Sequence, residues 1–209
     1  ELDIYIPSHN FAIEFNGLYW HSYHPKMKES ENQNIHLEKT LLTENKNISL
    51  FHINEWEWVN HKQLLQSMIK SKLGLNTKIY ARKCEIAELT TAQAKTFFNE
   101  NHIQQWIGSS YYWGLLHNNE IVMAISISPT RFNNKLAKYE LMRLCSKQDL
   151  TVIGGGSKLL KHAQSILNSN ILSYCDRSKS NGTSYLSMGF KLIGITKPSY
   201  FYVKSTEVL

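Results

Sequence analysis

The chain has 209 residues, 42% of them hydrophobic, which is enough for one large or two small packed domains and argues against wholesale disorder. Its longest apolar run, Ile121–Ile127 with Ser126 inside it, falls far short of the ~20 residues needed to span a bilayer as a helix. Cys84, Cys145 and Cys175 lack CxxC spacing, so free thiols in a reducing compartment are expected, not a disulfide scaffold or structural zinc. No basic-then-apolar leader opens the sequence, and no export signal is expected.

The charge is unevenly distributed. Residues 1–80 carry eight Lys/Arg against nine Asp/Glu, net −1, whereas residues 81–209 carry fifteen against eight, net +7. Six of the nine histidines lie at or before His61. An overall charge of +6, with eleven Tyr and five Trp, suits a nucleic-acid partner as well as it suits an ordinary basic protein.

In chain order, Leu2–Ile6 alternates as a strand, Pro7–Asn10 reads as a turn and Phe11–Phe15 as a second strand, together a hairpin. Residues 24–34 are polar and loop-like. Ile35 to Lys46 has helical spacing, with Ile35, Leu37, Leu41 and Leu42 forming an apolar stripe. Ile48–Ile53 reads as a strand, and Trp56 to Leu73 as a long helix ended by Gly74. Residues 74–79 are the expected boundary between a domain over 1–75 and another over 76–209.

Beyond the boundary, Ile79–Ala87 reads as a strand and Thr90–Asn101 as a helix with Thr90 as N-cap. A hairpin follows over Tyr111–Leu116 and Ile121–Ser128, then a strand over Ala137–Cys145. The run Gly154-Gly155-Gly156 precedes a helix over Ser157–Leu167 and a strand over Ile171–Cys175. A short helix over Asn181–Met188 and strands over Phe190–Ile195 and Tyr200–Val203 complete the chain. The expected class is mixed α/β (α+β).

On the first hairpin, Asp3 and Glu14 can project from neighbouring strands onto one face, a pair of hard oxygen ligands suited to Mg²⁺. They are equally the outward acids of a half-solvated hairpin. The stretch ELDIYIPSHNFAIEFNGLYWHS resembles the very-short-patch mismatch-repair endonucleases and the related phage homing endonucleases of the EDxHD type, variants of the PD-(D/E)xK nuclease fold. The resemblance implies that Asp3 binds Mg²⁺, that Glu14 fills the second acidic position and that Glu1 opens the EDxHD pattern. It also implies that His21 acts as general base, with Asn16 where PD-ExK enzymes carry lysine. SLFHINEWEW resembles the family's third strand, and Glu55 stands where a carboxylate could orient His21 or the metal's water shell. Because the match begins at the motif itself, a nuclease domain truncated at its N-terminus is expected. His24, His36, His52 and His61 lack metal-ligand spacing; His36 and Lys39, one turn apart, are open to a phosphate or to solvent.

In the second half, the glycine run precedes a helix whose first amides, with Ser157 and Lys158, can hold an anion; the alternative is that Gly154–Gly156 simply allows close strand–helix packing. Thr151 to Gly156 resembles the phosphate loop of the GNAT acetyltransferases except at its first position, and Asn181–Phe190 resembles their Tyr-x-x-x-Gly-Phe segment. KIYARKCEI, YELMRLC, VIGGGSKLL and SYCDRS together resemble the GNAT-like C-terminal domain of phage homing endonucleases. Arg131, Lys135, Lys138, Arg143, Lys158, Lys161, Arg177 and Lys179 form the expected positive face, beside the aromatic runs Tyr111–Trp113 and Tyr200–Tyr202.

The resemblance thus implies a Mg²⁺-dependent homing endonuclease acting on double-stranded DNA in the cytoplasm of a bacterial or phage-infected cell, with no membrane partner. Two alternatives stand beside it: an acyltransferase using acetyl-coenzyme A, and a DNA-binding module with an inactive nuclease hairpin.

Overall fold

Asn10 takes a left-handed conformation (φ 45°) that closes a short 3-10 turn over Pro7–His9 and returns the chain antiparallel to itself. The strands it joins are β1 (Ile4–Ile6) and β2 (Phe11–Asn16), in register from Ile4↔Ile13 to Ile6↔Phe11. In this computed structural model, which describes residues 1–21, 35–132, 135–199, 202–204 and 207–208, the chain is mixed α+β. The side chains of Trp20, His21, Lys204, Glu207 and Val208 fall outside the description, as do the expected loop over 24–34 and the pair Tyr200-Phe201.

Contacts divide the chain into two compact units. One comprises Glu1–Lys62, Cys175–Leu186 and Lys191–Leu209; the other comprises Gln63–Tyr174 and Ser187–Phe190. The division falls between Lys62 and Gln63, not in the expected 74–79, and returns most of the C-terminal residues to the first unit.

In the first unit, α1 (Leu18–His21) follows β2, and α2 (Ile35–Glu44) leads into β3 (Ser49–Asn54). β3 lies parallel to β2 from Phe11↔Ser49 to Asn16↔Asn54, giving the order β1-β2-β3. As the central strand, β2 is buried at every position but Phe15, which is why its polar residues lie inside. The apolar stripe expected on α2 is a correction. Leu41 and Leu42 are exposed, and the buried side chains are Thr40 and Thr43, whose hydroxyls bond back to carbonyls one turn earlier. α2 covers polar residues, so its inner side is polar. α3 (Glu55–Lys72) starts directly after β3 and is interrupted at His61 (φ −134°, ψ 32°).

In the second unit, the expected strand over Ile79–Ala87 is two strands, β4 (Thr77–Tyr80) and β5 (Glu85–Glu88), separated by a 3-10 turn at Ala81–Lys83. α4 (Thr91–Asn101) begins in a full capping box between Thr90 and Gln93. β6 (Tyr111–His117) and β7 (Glu120–Pro129) join through Asn118 and Asn119, both at positive φ (50° and 62°), as a tight hairpin turn requires. β8 (Tyr139–Ser146) continues the meander, and β9 (Leu150–Ile153), unforeseen in the sequence, pairs parallel with β4. α5 runs over Gly155–Leu167, and β10 (Ile171–Leu172) pairs parallel with β8, completing the sheet order β10-β8-β7-β6-β5. Leu89, Ala94, Phe97, Phe98, Tyr112 and Ala124 make one core cluster. Cys84, Cys145 and Cys175 are free; burial raises the first two thiols above their ordinary value and keeps them protonated. α6 (Thr183–Ser187) is followed by 190–199 without regular structure, where a strand over Phe190–Ile195 was expected.

Gly154 holds the N-cap of α5 at φ 76°, and Gly155 and Gly156 are buried inside the helix. A Cβ on Gly155 would collide with Met123 Sδ and come within 2.9 Å of Val152 Cγ1; one on Gly156 would collide with Met188 Sδ. We therefore expect Gly155→Ala to destabilise the protein by about 1–3 kcal/mol through overpacking. Gly194→Ala, where a Cβ meets nothing within 4 Å, should be neutral. Urea unfolding checks both; a stabilised Gly155→Ala would show that the close approach is not needed.

Candidate active site

Because β2 and β3 run parallel and in register, Glu14 stands beside His52, and Asn16 beside Asn54. Side chains two apart share a face, so these four form a polar block on one side of the sheet. Glu14, Asn16 and His52 are buried. The Asn16 side-chain amide lies 3.4 Å from both His52 Nδ1 and Asn54 Oδ1. Thr40 Oγ1 donates to the His36 carbonyl (2.8 Å) and lies 2.9 Å from His52 Nε2. With that hydroxyl proton committed, His52 carries its own proton on Nε2 and accepts through Nδ1.

Burial, and then the neighbouring His36, Lys179 and Lys39, lower the His52 pKa from 6.5 to about 4, so the ring is neutral at physiological pH. Glu14 is held differently. Lys39 of α2 pairs with its Oε1, while Oε2 is buried without a partner among the described residues.

Asp3 is one residue beyond the registered pair Ile4↔Ile13, which carries it to the part of the hairpin that holds Glu14. Its Oδ2 accepts the Phe15 amide at 2.7 Å. Glu1 is exposed two residues earlier. Glu55, at the start of α3, accepts the Leu18 amide at 2.8 Å and so holds the first turn of α1, the helix that bears His21. Asp3 and Glu14 are thus brought to adjoining positions, Glu55 secures α1 by its backbone, and the His21 side chain lies outside the described residues. Among the described residues, no group of three or more His, Cys, Asp or Glu side chains is placed to hold a metal.

Two residues emerge that sequence reasoning did not assign here. Glu57 Oε2 accepts the Asn54 amide (2.9 Å) and side chain (3.2 Å), capping α3. Lys179 donates to the same oxygen (2.7 Å) and to the His52 carbonyl (2.5 Å), with its ammonium 5.2 Å from the centre of the Phe51 ring. The Ser178 carbonyl accepts the His52 amide, so the segment that begins at Cys175 clasps the outer edge of β3. Asn-x-x-Glu at the start of a helix was a readable signal for Glu57; nothing local foretold a partner more than a hundred residues away.

Lys179 was expected on a DNA-facing surface and is instead buried, and Arg177 pairs with Glu44. In the second unit, Lys158 turns inward to the carbonyls of Ala81 (3.0 Å) and Cys84 (2.6 Å). Arg143 donates to the carbonyls of Gln105, Met142 and Gln104 (2.8, 2.8 and 3.2 Å). Arg131 lies 3.5 Å from Glu140, and Ser157 is half-buried at the start of α5. Lys135, Lys138 and Lys161 are exposed.

No family model, curated protein or solved structure matches the chain.

Acid should act on this site through His52. The unfolded imidazole takes up its proton near pH 6.5 and the folded one only near pH 4, so stability is full above 6.5 and falls as pH drops between those values. We expect His52→Gln to remove about 2–3 kcal/mol of this pH dependence. Urea unfolding of both proteins across that range measures it, and the difference between them cancels contributions from other groups.

Proposed function

We propose that the first unit is the catalytic part of a Mg²⁺-dependent DNA endonuclease of the homing type, related to the EDxHD and very-short-patch-repair nucleases, with Asp3, Glu14 and His21 as its working residues. The observation that carries this reading is the buried carboxylate of Glu14, with one oxygen lacking a donor among the described residues, on the strand beside Asp3. Two hard carboxylates at adjoining positions fit a divalent ion that keeps several waters and admits a phosphate oxygen. Mg²⁺ bound there would polarise the scissile phosphate and ease deprotonation of water.

In this reading His21 takes the proton from the attacking water. The water oxygen forms the new bond to phosphorus and the bond to the departing sugar oxygen breaks. Glu55 serves His21 by fixing the start of α1. Asn16 serves Glu14 by fastening β2 to His52 and Asn54.

The second unit, a GNAT-like mixed sheet in this reading, contributes a positive surface for the DNA backbone. Lys135, Lys138 and Lys161 are among its exposed cations, as is Arg131. Use of the glycine run for acetyl-coenzyme A is disfavoured. Gly155 and Gly156 pack against Met123 and Met188, and Lys158 is turned onto backbone carbonyls.

Supercoiled plasmid with Mg²⁺ should be nicked by the wild type and left intact in EDTA. Asp3→Asn, Glu14→Gln and His21→Ala should each slow nicking by about a hundredfold or more. If all three variants nick as fast as the wild type, the assignment is wrong. Salt-sensitive DNA retention with no nicking at any Mg²⁺ concentration would identify a binding module instead.

A further inference from the structure

Hydrolysis of a phosphodiester builds negative charge on the phosphate oxygens as the new bond forms, and a site with two carboxylates and one divalent ion is short of positive charge to meet it. Asn16, two residues beyond Glu14 on the same face, is neutral, and its amide is directed at His52 and Asn54. His52 is held neutral by burial. Lys179 is committed to Glu57 and the His52 carbonyl, and Arg177 to Glu44.

Among the described cations of this unit, Lys39 is the one whose ion pair reaches the acidic face. Its side chain is 30% exposed, whereas that of Glu14 is 5% exposed. The ammonium therefore sits at the mouth of the polar block, with its inner side on Glu14 Oε1 and its outer side towards solvent. An ammonium has three donors, and among the described residues Lys39 bonds through its ammonium only to Glu14. The stem rises from α2 beside Thr40, whose hydroxyl is fixed between the His36 carbonyl and His52, so the helix turn that delivers Lys39 is itself anchored.

We propose that Lys39 is a catalytic, phosphate-binding residue of this site. Supplied from α2, it touches a non-bridging oxygen of the scissile phosphate and provides the positive charge that Asn16 cannot. The proposal rests on the nuclease reading, but its first test does not require cleavage. No proton moves in this step: Lys39 stays an ammonium throughout, and its free donors turn from water to the phosphate while its bond to Glu14 persists.

A residue that contacts phosphate releases counterions on binding, so its removal lowers the slope of log affinity against log salt by about 0.9. With double-stranded DNA in EDTA, Lys39→Ala should lose that increment and Lys39→Arg should keep it. In Mg²⁺, nicking by Lys39→Ala should fall about a hundredfold with an unchanged Mg²⁺ half-saturation, and added Mg²⁺ should not restore it. Thermal melts of both variants, and of Lys39→Ala/Glu14→Gln, which removes both charges, separate this from unfolding; if Lys39→Ala does not fold, the double variant takes its place in the salt titration. A wild type that nicks, with a Lys39→Ala salt slope equal to its own, overturns the proposal and leaves the nuclease reading standing. A loss of rate that Mg²⁺ repairs also overturns it, since Lys39 would then act only by arranging Glu14. A wild type that never nicks but shows the slope change retains Lys39 as a phosphate contact and removes the nuclease reading. If DNA is neither bound nor cut, both fall.

Discussion

The first unit is organised around a carboxylate in the wrong solvent. Glu14 occupies the central strand of a three-stranded sheet, where it is only 4% exposed, and an ionised carboxylate left there alone would cost several kcal/mol. Its neighbours follow from that. Lys39 supplies the opposite charge, His52 and Asn16 make the surroundings polar, and Thr40 links the imidazole to the covering helix. A helix laid over such a face cannot present leucines to it, which is why α2 exposes Leu41 and Leu42 and buries Thr40 and Thr43. Polar burial of this kind weakens a small fold and is retained most readily where the polar groups have work to do.

A second buried charge pair compensates at the other edge of β3. Lys179 and Glu57 are each 6% exposed, and separating such a pair leaves a buried charge uncompensated at about 3–5 kcal/mol. Glu57 also caps α3, while Ser178 and Lys179 take both backbone groups of His52. His52 is therefore the junction of two systems: its ring faces the Glu14 block and its peptide is held by the C-terminal segment. A residue that appeared to be an unassigned histidine fixes the strand on which the candidate site is laid.

The sequence was legible wherever the physics is local. The hairpin at Asn10, the helix that starts after Asn54, the Thr90 cap and the Asn118-Asn119 turn all declare themselves within four residues, and all occupy the places expected of them. What failed depends on partners distant in the chain. β9 is four residues long and pairs with β4 about seventy residues away, so no run of its own announced it. α2 has helical spacing, but which side is buried depends on β2 and β3, not on where its leucines fall. Of the candidate site, the carboxylates Asp3 and Glu14 were visible as a pair because a hairpin puts them side by side. Lys179 was misread because its charge suggests a surface, and only a remote Glu57 explains its burial.

The same distinction bears on the basic charge of the second half. Counting residues treats every cation alike, whereas the structure sorts them. Lys147, Arg177 and Lys179 are neutralised by carboxylates, and they add little to the field beyond the pair. Lys158 and Arg143 donate to backbone carbonyls, which bear no net charge, so their own charge is undiminished although their donors are occupied. Such cations can attract a polyanion over about a Debye length, ~10 Å at moderate salt, without making a directed bond to any one phosphate. Directed contacts then fall to exposed side chains such as Lys135, Lys138 and Lys161. A surface of this kind favours rapid, salt-sensitive encounter with a polyanion over firm register.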